Sequence, residues 1–89
     1  MIHVTFMGHI KASMGRERMD IDKAGMSVEE LFRFLKSENP AVQEQRHGFT
    51  EYNTLVVVND HEALAAASRR DLRLNDGDSV LLVPFSHGG

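Results

Sequence analysis

Ser79-Val80-Leu81-Leu82-Val83 follows directly on Asn75-Asp76-Gly77-Asp78. The first stretch reads as a strand that is apolar on both faces, and the second is a strong turn signal. A strand with two apolar faces belongs inside a sheet, where parallel neighbours and cover on both sides suit a continuous hydrophobic run. Leu55-Val56-Val57-Val58, bounded by Asn53 and by Asn59-Asp60, has the same two-faced character. Two such strands in one short chain define the middle of its sheet.

Working outward, Ile2, Val4 and Phe6 alternate with His3, Thr5 and Met7, the period-two pattern of a strand with one buried face. Gly8 and Gly15 bracket a turn region. Met19 and Ile21 then alternate with Arg18, Asp20 and Asp22. This second strand pairs back on the first, and its charged outward residues suit an edge. A helix starts at Ser27. The Ser27 side chain caps the first turn, while Glu30 reaches back to the Ser27 amide as a capping box. Val28, Leu31, Phe32 and Leu35 follow at helical spacing and make one apolar stripe. Pro40 forbids continuation, so the helix ends between Ser37 and Asn39. Residues 41–53 read as a loop, and residues 63–70 carry helix formers sufficient for a short helix.

The order is strand, strand, helix, strand, connecting segment, strand. An α+β fold of the β-grasp (ubiquitin-like) kind satisfies it, with one main helix on a mixed sheet of four to five strands. Its first and last strands lie side by side at the sheet's centre. The expected core is Ile2, Val4 and Phe6 with Val28, Leu31, Phe32 and Leu35, closed by Val56, Val58, Val80 and Leu82. The expected division is a domain over residues 1–83 and a flexible tail over residues 84–89.

Bulk properties narrow the function. At 89 residues the chain is a single domain too small to wall in a deep active site. Function therefore belongs to a surface or to the tail. Ten basic and thirteen acidic residues are interspersed for a net charge of −3, without the clustered basic face that nucleic acid requires. There is no cysteine, which excludes disulfides, thiolate catalysis and cysteine-ligated metals. His3, His9, His47, His61 and His87 are dispersed without a zinc-site spacing, so no metal is expected. No signal peptide or membrane span is visible at this stage, and the cytoplasm is the expected location. Asp76 and Asp78 resemble paired acids, but turn chemistry accounts for both.

The tail Pro84-Phe85-Ser86-His87-Gly88-Gly89 follows the last strand at once. Two terminal glycines offer no nucleophile, acid, base or ligand beyond the main chain. What they offer is a thin thread ending in a carboxylate. A narrow channel in another enzyme admits such a thread and presents the carboxylate to ATP, and adenylation supplies the leaving group a carboxylate lacks. Sulfur or an amine then attacks the carbonyl. A terminal Gly-Gly alone is equally an inert end or a cloning remnant; its place just beyond a final apolar strand in a β-grasp order is what favours the functional reading.

These residues resemble a known family. Val4-Thr5-Phe6 with Met14-Gly15, Ser27-Val28-Glu29-Glu30-Leu31-Phe32, Val57-Val58-Asn59, Leu74-Asn75-Asp76-Gly77-Asp78-Ser79-Val80 and Gly88-Gly89 look like the successive motifs of the MoaD/ThiS sulfur carriers, with the MoaD type the nearer. The resemblance covers nearly the whole chain. It implies that a ubiquitin-activating-enzyme-like adenylyltransferase adenylates Gly89 and that a persulfide donor converts the adenylate to a thiocarboxylate. It further implies delivery of that sulfur inside a molybdopterin synthase large subunit. On this reading the chain binds no cofactor, ATP is used by the activating partner, Gly89 is the attachment point, and Gly88 and His87 thread the channel. The His87-Gly88-Gly89 ending is also similar to the tails of ubiquitin-related modifiers.

One helix covers one sheet face, yet both inner strands are apolar on both sides. Placing Val56, Val58, Val80 and Leu82 toward the helix leaves Leu55, Val57, Leu81, Val83 and Phe85 on the other face. An apolar patch of that size marks a partner interface, unless the connecting segment folds over it. Three functions stay open: sulfur carrier for molybdopterin, thiamine, cysteine or thiolated tRNA; ubiquitin-like modifier joined to lysines; and interaction module with an incidental tail. No catalytic constellation argues for an enzyme in its own right.

Overall fold

The computed structural model describes residues 1–39, 54–62 and 72–84. The loop read over residues 41–53, the short helix read over residues 63–70, and Phe85, His87, Gly88 and Gly89 lie outside the described residues. In chain order the described elements are β1 (Ile2–Phe6), α1 (Gly8–Met14), β2 (Arg18–Ile21), β3 (Met26–Ser27), α2 (Val28–Glu38), β4 (Thr54–Val58), β5 (His61–Glu62), β6 (Arg73–Leu74) and β7 (Ser79–Pro84).

Alternation in β1 buries Ile2, Val4 and Phe6 completely. β2 returns antiparallel beside it, with Val4 opposite Met19 and Ile2 opposite Ile21. On its other side β1 meets β7 in parallel, Val4 opposite Val80 and Phe6 opposite Leu82. β4 lies antiparallel to β7, Val56 opposite Leu82 and Val58 opposite Val80. The main sheet among the described residues runs β2-β1-β7-β4-β5, so the first and last strands share its centre. β2, with exposed Arg18 and Asp20, takes the edge that its charges suit. A separate pair, β3 with β6, sits at the start of α2. This is the β-grasp arrangement.

α2 begins where the capping box places it. The Glu30 amide donates to the Ser27 Oγ at 3.1 Å, and the Ser27 backbone in turn bonds the Glu30 carboxylate. Val28, Leu31, Phe32 and Leu35 turn into the core, and the helix closes on Asn39, whose N–H donates to the Leu35 carbonyl. Residues 75–78 form the expected turn: the Asp78 N–H bonds the Asn75 carbonyl at 3.0 Å, and Gly77 takes φ +91°, a conformation costly for any residue with a Cβ.

Three expectations need correction. Residues between Gly8 and Gly15 form not a plain turn but a seven-residue helix, α1, that buries Ile10 and Met14 one turn apart. Among the described residues α2, of eleven residues, remains the main helix, and α1 is a shorter second one. The core accordingly extends to Ile10 and Met14, and also takes in Ile21, Met26 and Leu74, while Val58 is only partly buried against it. The last strand also runs one residue past Val83, with Pro84 opposite Thr54.

Candidate functional site

The face of the sheet turned away from the core is built by β7 and its neighbours. Along β7, Val80 and Leu82 are 1% and 0% exposed, whereas Leu81 and Val83, on the other side of the alternation, are half-buried. Along β4, Val56 is fully buried, and Leu55 and Val57 are half-buried. Register brings these together: Leu55 stands opposite Val83, and Val57 opposite Leu81. Directly opposed side chains on neighbouring strands sit about 4.5–5.5 Å apart at Cβ, so the four make one apolar patch. The structure thus brings together four of the five residues expected there, and the fifth, Phe85, is outside the described residues. So are residues 63–71, and with them the alternative that the connecting segment covers this face.

The patch continues across β1. Thr5 is opposite Leu81, and Met7, still extended at φ −119° and ψ 158°, carries the outward alternation one step further. Met7 is 45% exposed, and its N–H donates to the Leu82 carbonyl at 3.0 Å. Met7 was not among the expected interface residues, although its place in the alternation with His3 and Thr5 already puts it on this face. Toward β2 the face becomes polar: His3 Nδ1 lies 2.8 Å from Asp20 Oδ1, both exposed. The face therefore grades from a charged edge at β2 to an apolar centre beside the end of β7, from which residues 85–89 continue.

Among the described residues two carboxyl groups have displaced pKa values, and both serve the scaffold. The Glu30 carboxyl is held below the usual carboxylate range, first by its hydrogen bond from Arg73 at 2.8 Å, and Arg73 also reaches the Gly25 carbonyl at 3.2 Å. Asp78 is lowered by the Asn75 N–H at 2.7 Å and then by Asn59 Nδ2 at 2.9 Å. Asn59 also bonds the Ser79 backbone in both directions. Asp78 is thus a clamp between two turns, and Asp76 pairs with the Met1 amino group. Neither is aimed at the apolar patch. Among the described residues no three His, Asp or Glu side chains converge as a metal site, and no helix is long and apolar enough to cross a membrane.

The model of the ThiS family matches residues 4–89, from the first strand to the terminal glycine. The chain belongs to the ThiS family. That family is one of ubiquitin-like sulfur carriers. No curated protein matches it in sequence. Among solved structures, this ThiS family chain is similar to a protein of Pyrococcus furiosus assigned as molybdopterin converting factor subunit 1, with a TM-score of 0.73 and 21% identity over 96% of this chain and 97% of that one. It is similar to Urm1 of Trypanosoma brucei, with a TM-score of 0.70 and 26% identity over 99% and 94%. It is also similar to small archaeal modifier protein 1 of Methanosarcina acetivorans, with a TM-score of 0.73 and 15% identity over 99% and 95%.

Proposed function

We propose that this ThiS family chain carries sulfur on its C-terminal carboxylate, with residues 1–84 as the docking domain, since Pro84 still pairs in β7, and residues 85–89 as the delivered tail. The observation that carries this reading is the reach of the family match to Gly89 itself, in a chain whose last strand ends in an apolar patch. A carboxylate resists nucleophiles because its negative charge is delocalised and its oxygen leaves poorly. An adenylyltransferase of the ubiquitin-activating kind supplies ATP, joins AMP to the Gly89 carboxylate and releases pyrophosphate. A persulfide sulfur on a donor attacks that carbonyl and displaces AMP, and a thiol reductant cleaves the resulting acyl disulfide to leave a thiocarboxylate on Gly89.

This chain's part is positional. The face of Leu55, Val57, Leu81 and Val83 docks on the partner together with Phe85, and Gly88 and His87 pass its channel. ATP is held by the partner, and the chain itself binds no cofactor. Small ThiS- and MoaD-like carriers are generally non-catalytic. The likeness to the Pyrococcus protein supports molybdopterin formation as the destination of the sulfur, for which a molybdopterin synthase large subunit in the cytoplasm is the acceptor we propose. The likenesses to Urm1 and to an archaeal modifier support a second use of the same adenylate, attack by a lysine amine to give an amide.

Intact-protein mass spectrometry tests this after incubation with ATP, the cognate activating enzyme and a sulfur donor. One terminal oxygen is replaced by sulfur in the full chain. Deleting Gly89 retracts the carboxylate by about 3.3–3.6 Å and abolishes the exchange without changing the fold. A full chain that acquires neither sulfur, AMP nor a conjugate overturns both readings.

A further inference from the structure

Pro84, the last described residue, has β4 on one side and the Gly8 corner on the other. Its ring fixes its own φ near −65° and biases Val83 toward extended backbone. Thr54, fully buried, stands opposite it on β4. On β1's side the Met7 N–H bonds the Leu82 carbonyl, and the chain then turns at Gly8 with φ +55°. A Cβ at Gly8 would stand 2.8 Å from Pro84 Cγ and 3.3 Å from Cδ. The first distance is shorter than real Cβ contacts tolerate, so the ring rests in a space that only glycine leaves open. Backbone conformation and room both call for glycine at this position.

We propose that Gly8 and Pro84 form a collar that sets the direction in which the chain leaves the sheet, and that both are therefore positioning residues for activation of Gly89. This rests on the carrier reading above. Five residues separate Pro84 from the terminus, and fully extended they span about 17 Å. Each residue left free to swing at the root enlarges the volume through which the terminal carboxylate wanders. A seated proline removes that swing before the partner is met, so less order has to be imposed on binding.

The test is adenylation, followed as ATP–pyrophosphate exchange with the cognate activating enzyme, together with hydrogen exchange of the Met7 amide in the isolated protein. Pro84→Ala removes Cγ and Cδ and frees the root. It raises KM for the carrier about threefold to tenfold, the cost of ordering one or two more residues, with kcat and Tm little changed. It also speeds exchange at Met7, because the collar no longer holds β1 against β7. Gly8→Ala raises KM and lowers Tm. Gly8→Ala with Pro84→Ala comes close to the KM of Pro84→Ala alone, since the atoms that clash are gone, while its Tm stays lowered by the strain of a side chain at φ +55°. Unchanged KM and unchanged Met7 exchange in Pro84→Ala overturn the collar, and so do KM effects that simply multiply in the double variant. If the wild-type chain supports no exchange of pyrophosphate, the carrier reading fails and the positioning role fails with it. Faster Met7 exchange in the variants would then show the collar as a device of folding only.

Discussion

Asp78 shows how single residues here hold backbone to backbone. Its carboxylate accepts from the Asn75 N–H and from the Asn59 side chain, which ties the turn before β7 to the turn after β4. Both bonds favour the ionised form, so its folded pKa lies below the ordinary carboxylate value of about 4. The linked stability is fully present above that unfolded value and is lost as pH falls through the lower folded one. Asp78→Ala should therefore melt below wild type at neutral pH, and the two should converge on acidification below about pH 4. Thermal melts of both proteins from pH 6 to pH 2 measure this, and a constant offset throughout would refute it. At this scale the sequence reading succeeded because turn chemistry is local. Asn75 to Asp78 names its own conformation, and Ser27 with Glu30 names the start of a helix. The Asn59 bridge to Asp78 joins residues nineteen apart, and no local pattern announces it.

Elements were legible in proportion to their length and to the regularity of their apolar spacing. Helix α2 has a cap, a four-residue stripe and a stop, and it runs where these place it. Helix α1 has none of the start signals: Met7 precedes it without a side-chain cap, and its first turn carries no acid. Its remaining marks are the spacing of Ile10 and Met14 and the left-handed Gly15 that caps its end, and a glycine reads as readily as part of a turn. β5 and β6, two residues each, are shorter than any period that could reveal them. Asn59 and Asp60 both take positive φ, at 49° and 69°, as a two-residue hairpin turn requires. The pair reads as the end of β4, but the strand that returns from it carries too few residues to be seen. Packing makes the two helices comparable all the same. Leu31 in α2 and Ile10 in α1 are each 0% exposed, so Leu31→Ala and Ile10→Ala should each cost about 2–5 kcal/mol in denaturant unfolding. A loss below about 0.5 kcal/mol at either site would remove that residue from the core. Ser27→Ala should cost about 1 kcal/mol, through the cap rather than through packing.

At the scale of the whole molecule, the topology joins what the chain separates. The first strand and the last lie in parallel at the centre of the sheet, so the end of β7, the Met7–Gly8 corner and the apolar face come together at one place. Two-faced strands disclosed that face in the sequence, because one helix cannot cover both sides of a sheet. The acceptor of the sulfur has no such signature: it is chosen by the shape and charge of a partner's surface, which impose no period on this chain. The face is where that choice is open to test. Leu81 is half-buried between Thr5 and Val57, whereas its neighbour Leu82 is fully buried in the core. A charge at Leu82 has to be buried unpaired and should unfold the domain. A charge at Leu81 keeps access to water in the free protein and loses it only when a partner closes over the patch. Leu81→Asp should therefore shift Tm by a few degrees at most while weakening binding to the activating enzyme by about 30-fold, the effect of removing one interface anchor. Val83→Asp should behave alike, being opposite Leu55 on the same face. Calorimetric titration of each variant against the activating enzyme, alongside its thermal melt, separates the outcomes. Unfolding of Leu81→Asp with Leu82→Asp still folded would mean that the two faces are reversed, and unchanged affinity in both face variants would move the docking surface elsewhere.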